Sequence, residues 1–262
     1  MNRNIFPKRW CDRKGGAVTK NFFRMGIYLL GSAGLVSADY IVMDSKTFTY
    51  TENFSSLGTG NVTWDDGNTV RGVYLKCVKT DIYPDGIPVS LAASVGGNIS
   101  AGAYNMGLPG DTDRALGWFT TSATGTGYTG IRFRDQTGKD GHTNLTIRYS
   151  FVLEQWSDRN TAAQIFMLQY KVHSAGGTTN NLISSNWTTL GTVATPVIGD
   201  GVEPGKLNGN LNQFTIAGTA GIGIRHGQFL TFRLVDNDFS GGDAMVGIDA
   251  ISVSVVSPPP TE

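Results

Sequence analysis

Apolar and polar residues alternate along most of the chain. In "NLTIRYSFVLEQW", residues 144–156, Leu145, Ile147, Tyr149, Phe151 and Leu153 share one parity, and Thr146, Arg148, Ser150 and Glu154 share the other. Five apolar positions at period two predict a half-buried strand and exclude a helix, whose apolar positions recur every three or four residues. "AQIFMLQYKVH" repeats the pattern, with Phe166, Leu168, Tyr170 and Val172 set against Gln169, Lys171 and His173. Phe48 and Tyr50 alternate in a shorter run, as do Val73, Leu75 and Cys77. "NQFTIAG", "QFLTFRLV" and the closing "GIDAISVSVV" add further strands. No long amphipathic helix is predicted. The runs are separated by "DDGN" (65–68), "TGKDGHTN" (137–144), "SAGGTTNN" (174–181) and "NDFSGGD" (237–243), which is turn chemistry. Strands with one apolar face need a second sheet to cover it. The predicted fold class is therefore all-β: a two-sheet antiparallel β-sandwich of jelly-roll type over residues 39–256.

Composition agrees with that fold. The 262 residues include 35 glycines, 40% are hydrophobic and only 16% are charged, enough to bury one large core joined by many turns. The ends depart from the body. Residues 1–24 carry seven basic side chains against Asp12. Met25–Leu35 is apolar, and Val36-Ser37-Ala38 is a small-residue cleavage pattern. Basic, apolar, then small is the layout of a secretory signal peptide, predicted over 1–38, and its apolar stretch is too short to span a bilayer. Removing it takes seven of 21 basic and one of 21 acidic residues, leaving 14 against 20 and a net charge of −6. An acidic mature chain argues against nucleic acid as a partner. It also leaves Cys77 alone, without a disulfide and in register with Val73 and Leu75, as a buried apolar residue. "SPPPTE" (257–262) is a Pro-rich tail that cannot continue a strand.

Four blocks carry a resemblance: "YTENF", "DTDRALGWF", "GIRFRDQTGKDGHTNLTIRYSFVLEQW" and "LTFRLVDNDFSGGDAMVGIDAISVSV". In this order they resemble a bacterial secreted β-sandwich module. That module occurs in exported proteins of the PEP-CTERM type and beside lamin-tail and extracellular-nuclease domains. The resemblance spans roughly residues 48–256. It implies an exported sandwich, at the cell surface or outside the cell, and no particular activity. Residues 257–262 lack the Pro-Glu-Pro motif, hydrophobic helix and terminal arginines of the sorting tail, so it implies no membrane anchor.

The candidate chemistry gathers around the last strand. Asp249 shares parity with Ile251, Val253 and Val255, which predicts a carboxylate entering on the core side. Such a group needs a counter-charge, hydrogen bonds or a metal. One reading pairs it with an arginine, from Arg114, Arg159 or Arg233. The other gives it to a structural Ca²⁺ shared with Glu52. In that respect the chain is similar to many jelly-roll carbohydrate-binding modules, which use an early acidic residue and a last-strand aspartate. Asp236, Asn237 and Asp238 read as turn residues. Catalytic signals are weak: three histidines, no HExxH and no GxSxG. Glu154 lacks an acidic partner two residues on, so it reads as part of a structural ion pair with Arg114 or Arg159, or with Arg148 on its own strand, and not as a glycosidase carboxylate. Trp118 and Trp156 are the candidate rings for stacking on sugar. The function expected is a secreted, non-enzymatic surface, matrix or glycan-binding module for a polysaccharide or cell-envelope component, with no membrane span in the mature chain. The alternatives are a lectin-like hydrolase built on Glu154 and the Asp236–Asp249 cluster, or an accessory domain to a nuclease.

Overall fold

The structure is a computed structural model. It describes residues 39–45, 47–97, 100–137, 144–157, 162–174, 182–198, 206–239 and 242–256. The expected leader (1–38), the expected tail (257–262) and Arg159 lie outside the described residues. Among the described residues fourteen strands are formed: β1 (Ile41–Met43), β2 (Thr49–Glu52), β3 (Val62–Thr63), β4 (Val73–Cys77), β5 (Ser90–Ser94), β6 (Gly102–Met106), β7 (Ala115–Phe119), β8 (Gly127–Asp135), β9 (Leu145–Gln155), β10 (Ile165–His173), β11 (Thr188–Ala194), β12 (Gln213–Ile222), β13 (Phe229–Asp236) and β14 (Val246–Val256). Three single 3₁₀ turns are the only helical elements among the described residues, and none is long and apolar enough to cross a membrane.

The strands form two sheets. The first runs β1-β8-β13-β10-β11, with β4 sharing the β1 edge of β8. The second runs β12-β9-β14-β7-β6-β5-β3, with β2 sharing the β7 edge of β14. From β8 onward the chain changes sheet at every connection except β10 to β11, the wiring of a jelly roll. The expected all-antiparallel pairing needs one correction: β1–β8 and β5–β6 are parallel, so both sheets are mixed. Alternation reports which face a residue takes and is blind to strand direction.

The core lies between the sheets. Leu145, Ile147, Tyr149, Phe151 and Leu153 of β9 all enter it, as do Leu230, Phe232 and Leu234 of β13. Phe232 sits at the seam, with ring centroids 6.0 Å from Phe151 and 6.4 Å from Tyr149 on the facing sheet, and 6.1 Å from Phe133 on its own. Cys77 is buried there as well. A smaller cluster of Tyr104, Met106, Ala115, Phe119, Trp156 and Met245 packs separately. Ala103, Leu116 and Trp118 belong to the main core, so alternation puts their neighbours Tyr104, Ala115 and Phe119 on the outer face of the second sheet. Residues 206–212 are tied down over that cluster. Leu207 N–H donates to the Trp156 carbonyl (3.0 Å), Gln155 N–H donates to the Asn212 carbonyl (3.0 Å), and Gly209 faces the Trp156 indole.

Candidate metal centre and ligand groove

The last strand carries a β-bulge. Ile248 pairs with Leu153 and Ala250 with Val152, so Asp249 is the extra residue. Ile248 and Ile251 both face the core although they are three apart, and the inserted residue is re-aimed. This corrects the parity reading. Asp249 does not enter the core; it joins Glu154, whose strand neighbour Leu153 fills the core and whose own side chain therefore takes the outer face of the second sheet.

Three carboxylates meet there. One oxygen each from Asp113, Glu154 and Asp249 lies within 4.8 Å of the others. Asp113 comes from the turn before β7, and the β14–β7 pairing of Ile248 with Leu116 brings that turn beside the bulge. Glu154 is 1% exposed, and both its oxygens are engaged: Trp156 Nε1 donates to Oε2 (3.1 Å) and Gln213 Nε2 to Oε1 (3.0 Å). Asn210 Nδ2 donates to Asp113 Oδ2 (2.9 Å), while Asn210 Oδ1 is buried without a partner. Burial, then the Glu154 and Asp113 charges, push the Asp249 carboxyl up to about 7. Burial also raises Glu154, against the hydrogen bonds from Gln213 and Trp156. Three mutually close, partly desolvated carboxylates do not all ionise cheaply at neutral pH; they share protons or take up a cation. The donor set is all oxygen, with the orphaned Asn210 carbonyl beside it. That suits Ca²⁺ and lacks the imidazole or thiolate that zinc prefers.

The other expected site residues are placed as follows. Glu52 is not in this group. Its Oε1 accepts the backbone N–H of Asn53 (3.0 Å) and Phe54 (2.7 Å), holding the turn after β2 in which Phe54 takes a left-handed φ of 54°. The expected pairing of Glu52 with Asp249 is therefore not formed: the carboxylates grouped with Asp249 are Asp113 and Glu154. Arg114 does not pair with Glu154. Its buried guanidinium donates through Nε to Asn105 Oδ1 (2.8 Å) and through Nη2 to the Asn105 carbonyl (2.6 Å), while Asn105 Nδ2 binds the carbonyls of Gly58 and Gly60. Among the described residues the only ion pair joins Arg132 to Asp39. Neither candidate ring is available to a sugar. Trp118 is 1% exposed, lies in the core and donates Nε1 to the Tyr128 carbonyl (3.2 Å); Trp156 is fully buried, with Nε1 spent on Glu154. Asp113 was missed because its sequence distance from both partners leaves no local spacing to read.

Asp236 and Asp243 form a second acidic site near the end of β13. Gln164 clamps the loop: Nε2 donates to Asp236 Oδ1 (2.6 Å) and to the Asn237 carbonyl (3.2 Å), and Oε1 accepts Ala244 N–H (2.9 Å). Burial, then the Asp243 charge, raise Asp236 well above the carboxylate range. Asp243 is pushed up to about 6 by burial first and the Asp238 charge, against the N–H of Phe239.

A shallow groove crosses the second sheet beside the bulge. A cavity of about 490 Å³ is lined by Thr51, Glu52, Asn53, Ser55, Ser150 and Ser252, among others. A second, of about 370 Å³, shares Ser150 and Ser252 and extends over Arg148 and Thr219 of the neighbouring strands. The surface is small and carries the hydroxyls of Thr51, Ser55, Ser150, Thr219 and Ser252 on a lining that exposes more apolar than polar area. The carboxylate centre is not among its lining residues.

No known protein family matches the chain, and no curated protein matches it either. Several solved structures are similar in fold. The CBM22-1 xylan-binding domain of Paenibacillus barcinonensis Xyn10C is 9% identical over 82% of this chain and 98% of its own, with a TM-score of 0.32. A family 35 carbohydrate binding module from Clostridium thermocellum is 9% identical over 79% and 97%, with a TM-score of 0.30. The insecticidal delta-endotoxin Cry8Ea1 of Bacillus thuringiensis is 15% identical over 51% of this chain and 19% of its own, with a TM-score of 0.28. Similarities this distant assign no function.

Proposed function

We propose that this chain is an exported, non-catalytic β-sandwich that binds a polysaccharide or another polyhydroxylated cell-envelope component. The groove across the second sheet carries the reading: it is open, continuous over β12, β9, β14 and β2, and lined by hydroxyl, amide and carboxylate groups suited to sugar hydroxyls. With Trp118 and Trp156 buried, binding relies on hydrogen bonds and not on ring stacking. A Ca²⁺ held by Asp113, Glu154 and Asp249 belongs to the same reading as a structural element: it would relieve their repulsion and fix the bulge next to the groove.

The convergence of Glu154 with Asp249 favours a second reading, a hydrolase. Two facts weigh against it: Glu154 is buried with both oxygens committed, and the carboxylates do not line the groove. The test is retention of the full chain on an array of neutral and acidic polysaccharides, with Ca²⁺ or EDTA, while soluble products are assayed. Retention that soluble oligosaccharides compete supports binding. No retention on any polysaccharide refutes it, and released sugar lost in Glu154→Gln would establish the hydrolase instead.

A further inference from the structure

The outer face of the first sheet gathers positive charge that the described chain barely answers. Ile131 and Phe133 fill the core, so Arg132 and Arg134 of β8 face outward. Thr231 and Arg233 of β13 do the same between Leu230, Phe232 and Leu234, and Gln169, Lys171 and His173 follow on β10. Register sets them in rows: Arg132 opposite Thr231 opposite Lys171, and Arg134 opposite Phe229 opposite His173.

Arg132 is 1% exposed. Its Nη2 meets the Asp39 carboxylate, but Nε and Nη1 have no acceptor among the described residues. Tyr74 and Phe229 lie over the guanidinium, 4.8 and 5.0 Å from ring centroid to Cζ, so its faces are filled and its edges are not. The hydroxyl of Thr231, also 1% exposed, has no partner. Arg134 donates Nη1 to the Tyr40 hydroxyl (2.9 Å) and leaves Nε buried and unmatched. His173 Nε2 is likewise buried and unpartnered. Leaving a buried donor unmatched costs about 1–3 kcal/mol, and more for a charged one. An oxyanion supplies both the missing acceptors and the missing charge.

We propose that this face binds an oxyanion borne on an acidic polysaccharide, as a uronate carboxylate or a sulfate ester. Arg134, Phe229, Tyr40, Lys171 and His173 form a half-buried rim. The anion meets Arg134 first, draws it off Tyr40 and uncovers the donors of Arg132 and Thr231. A glycan is chosen over nucleic acid on two grounds. The rings on this face are already stacked on guanidinium groups (Arg233 lies 4.8 Å from Tyr128 and 4.2 Å from Trp187), which leaves little free surface for bases. The other ground is the glycan-binding reading above, on which this choice of polymer rests.

The experiment titrates the full chain with polygalacturonate, heparin, neutral xylan and single-stranded DNA, in wild type, Arg134→Gln and Lys206→Gln. Lys206 is an exposed lysine on the far side and controls for net charge. Thermal midpoints verify that each variant folds. The proposal expects polygalacturonate or heparin to bind, about tenfold more weakly in Arg134→Gln (one charge-assisted bond at 1.4 kcal/mol per decade) and unchanged in Lys206→Gln. Polygalacturonate carries carboxylates alone, so its binding identifies the carboxylate; heparin, which carries both groups, identifies the sulfate only when it binds and polygalacturonate does not. No binding of either overturns it, as does equal weakening in Lys206→Gln or equally tight binding of DNA. Failure here with xylan still bound leaves the groove reading intact; acidic binding through Arg134 with no neutral glycan bound does the reverse.

Discussion

Trp156 is buried because two glycines make room for it. A Cβ on Gly209 would lie 2.2 Å from the indole Cε2. One on Gly96 would lie 1.7 Å from the Trp156 carbonyl oxygen, at a φ of +87° that side chains rarely adopt. Gly209→Ala is expected to cost about 1–3 kcal/mol by overpacking, and Gly96→Ala at least as much; at about 2–4 °C per kcal/mol, thermal melting resolves both. Alternation could not foresee this burial, since Trp156 follows the last residue of β9 and its cover comes from 206–212. At the same scale, Asp243 predicts a pH dependence. Its carboxyl is raised in the folded state, so its contribution to stability is fullest below the unfolded value near 4 and is lost as pH climbs to about 6. Asp236 shifts in the same direction. Asp243→Asn keeps the acceptor for Phe239 N–H and removes the charge. It should match wild type at pH 4 and exceed it at pH 8 by about 1 kcal/mol after solvent screening, or about 2–4 °C. Equal midpoints at both pH values would contradict this.

At the scale of elements, the bulge in β14 decides the site. A regular strand would send Asp249 into the core; one extra residue sends it to Glu154 and Asp113. If those three hold calcium, excess Ca²⁺ over EDTA raises the melting midpoint at pH 8, by about 2.7 kcal/mol of stability at a hundredfold excess over Kd, and Asp249→Asn abolishes most of the gain. Identical midpoints with Ca²⁺ and EDTA rule the centre out. How much of this was legible follows from the same geometry. β9 and β10 were plain in the sequence because one face is apolar and the other polar. β7 was not: Ala115 to Phe119 are buried on both faces, under the main core and the Trp156 cluster, which erases alternation. The bulge was illegible because one inserted residue has no compositional mark, and every parity argument downstream of Asp249 remains self-consistent. The acidic character of the last strand could be read; its partners could not, since pairing across sequence assembled them.

At the scale of the molecule, the two sheets depend on their seam. Phe232→Ala removes the ring that bridges Phe133, Phe151 and Tyr149, and should cost about 3–5 kcal/mol in denaturant unfolding. The sandwich leaves each sheet an outer face of different chemistry: hydroxyl-lined on the second, cationic and aromatic on the first. The most direct test of the binding role is retention of wild type and Ser252→Trp on the polysaccharide the array selects. Ser252 lines both halves of the groove, and an indole there fills it. Retention reduced at least tenfold, at an unchanged melting midpoint, is the predicted result; equal retention of the two proteins would contradict the account.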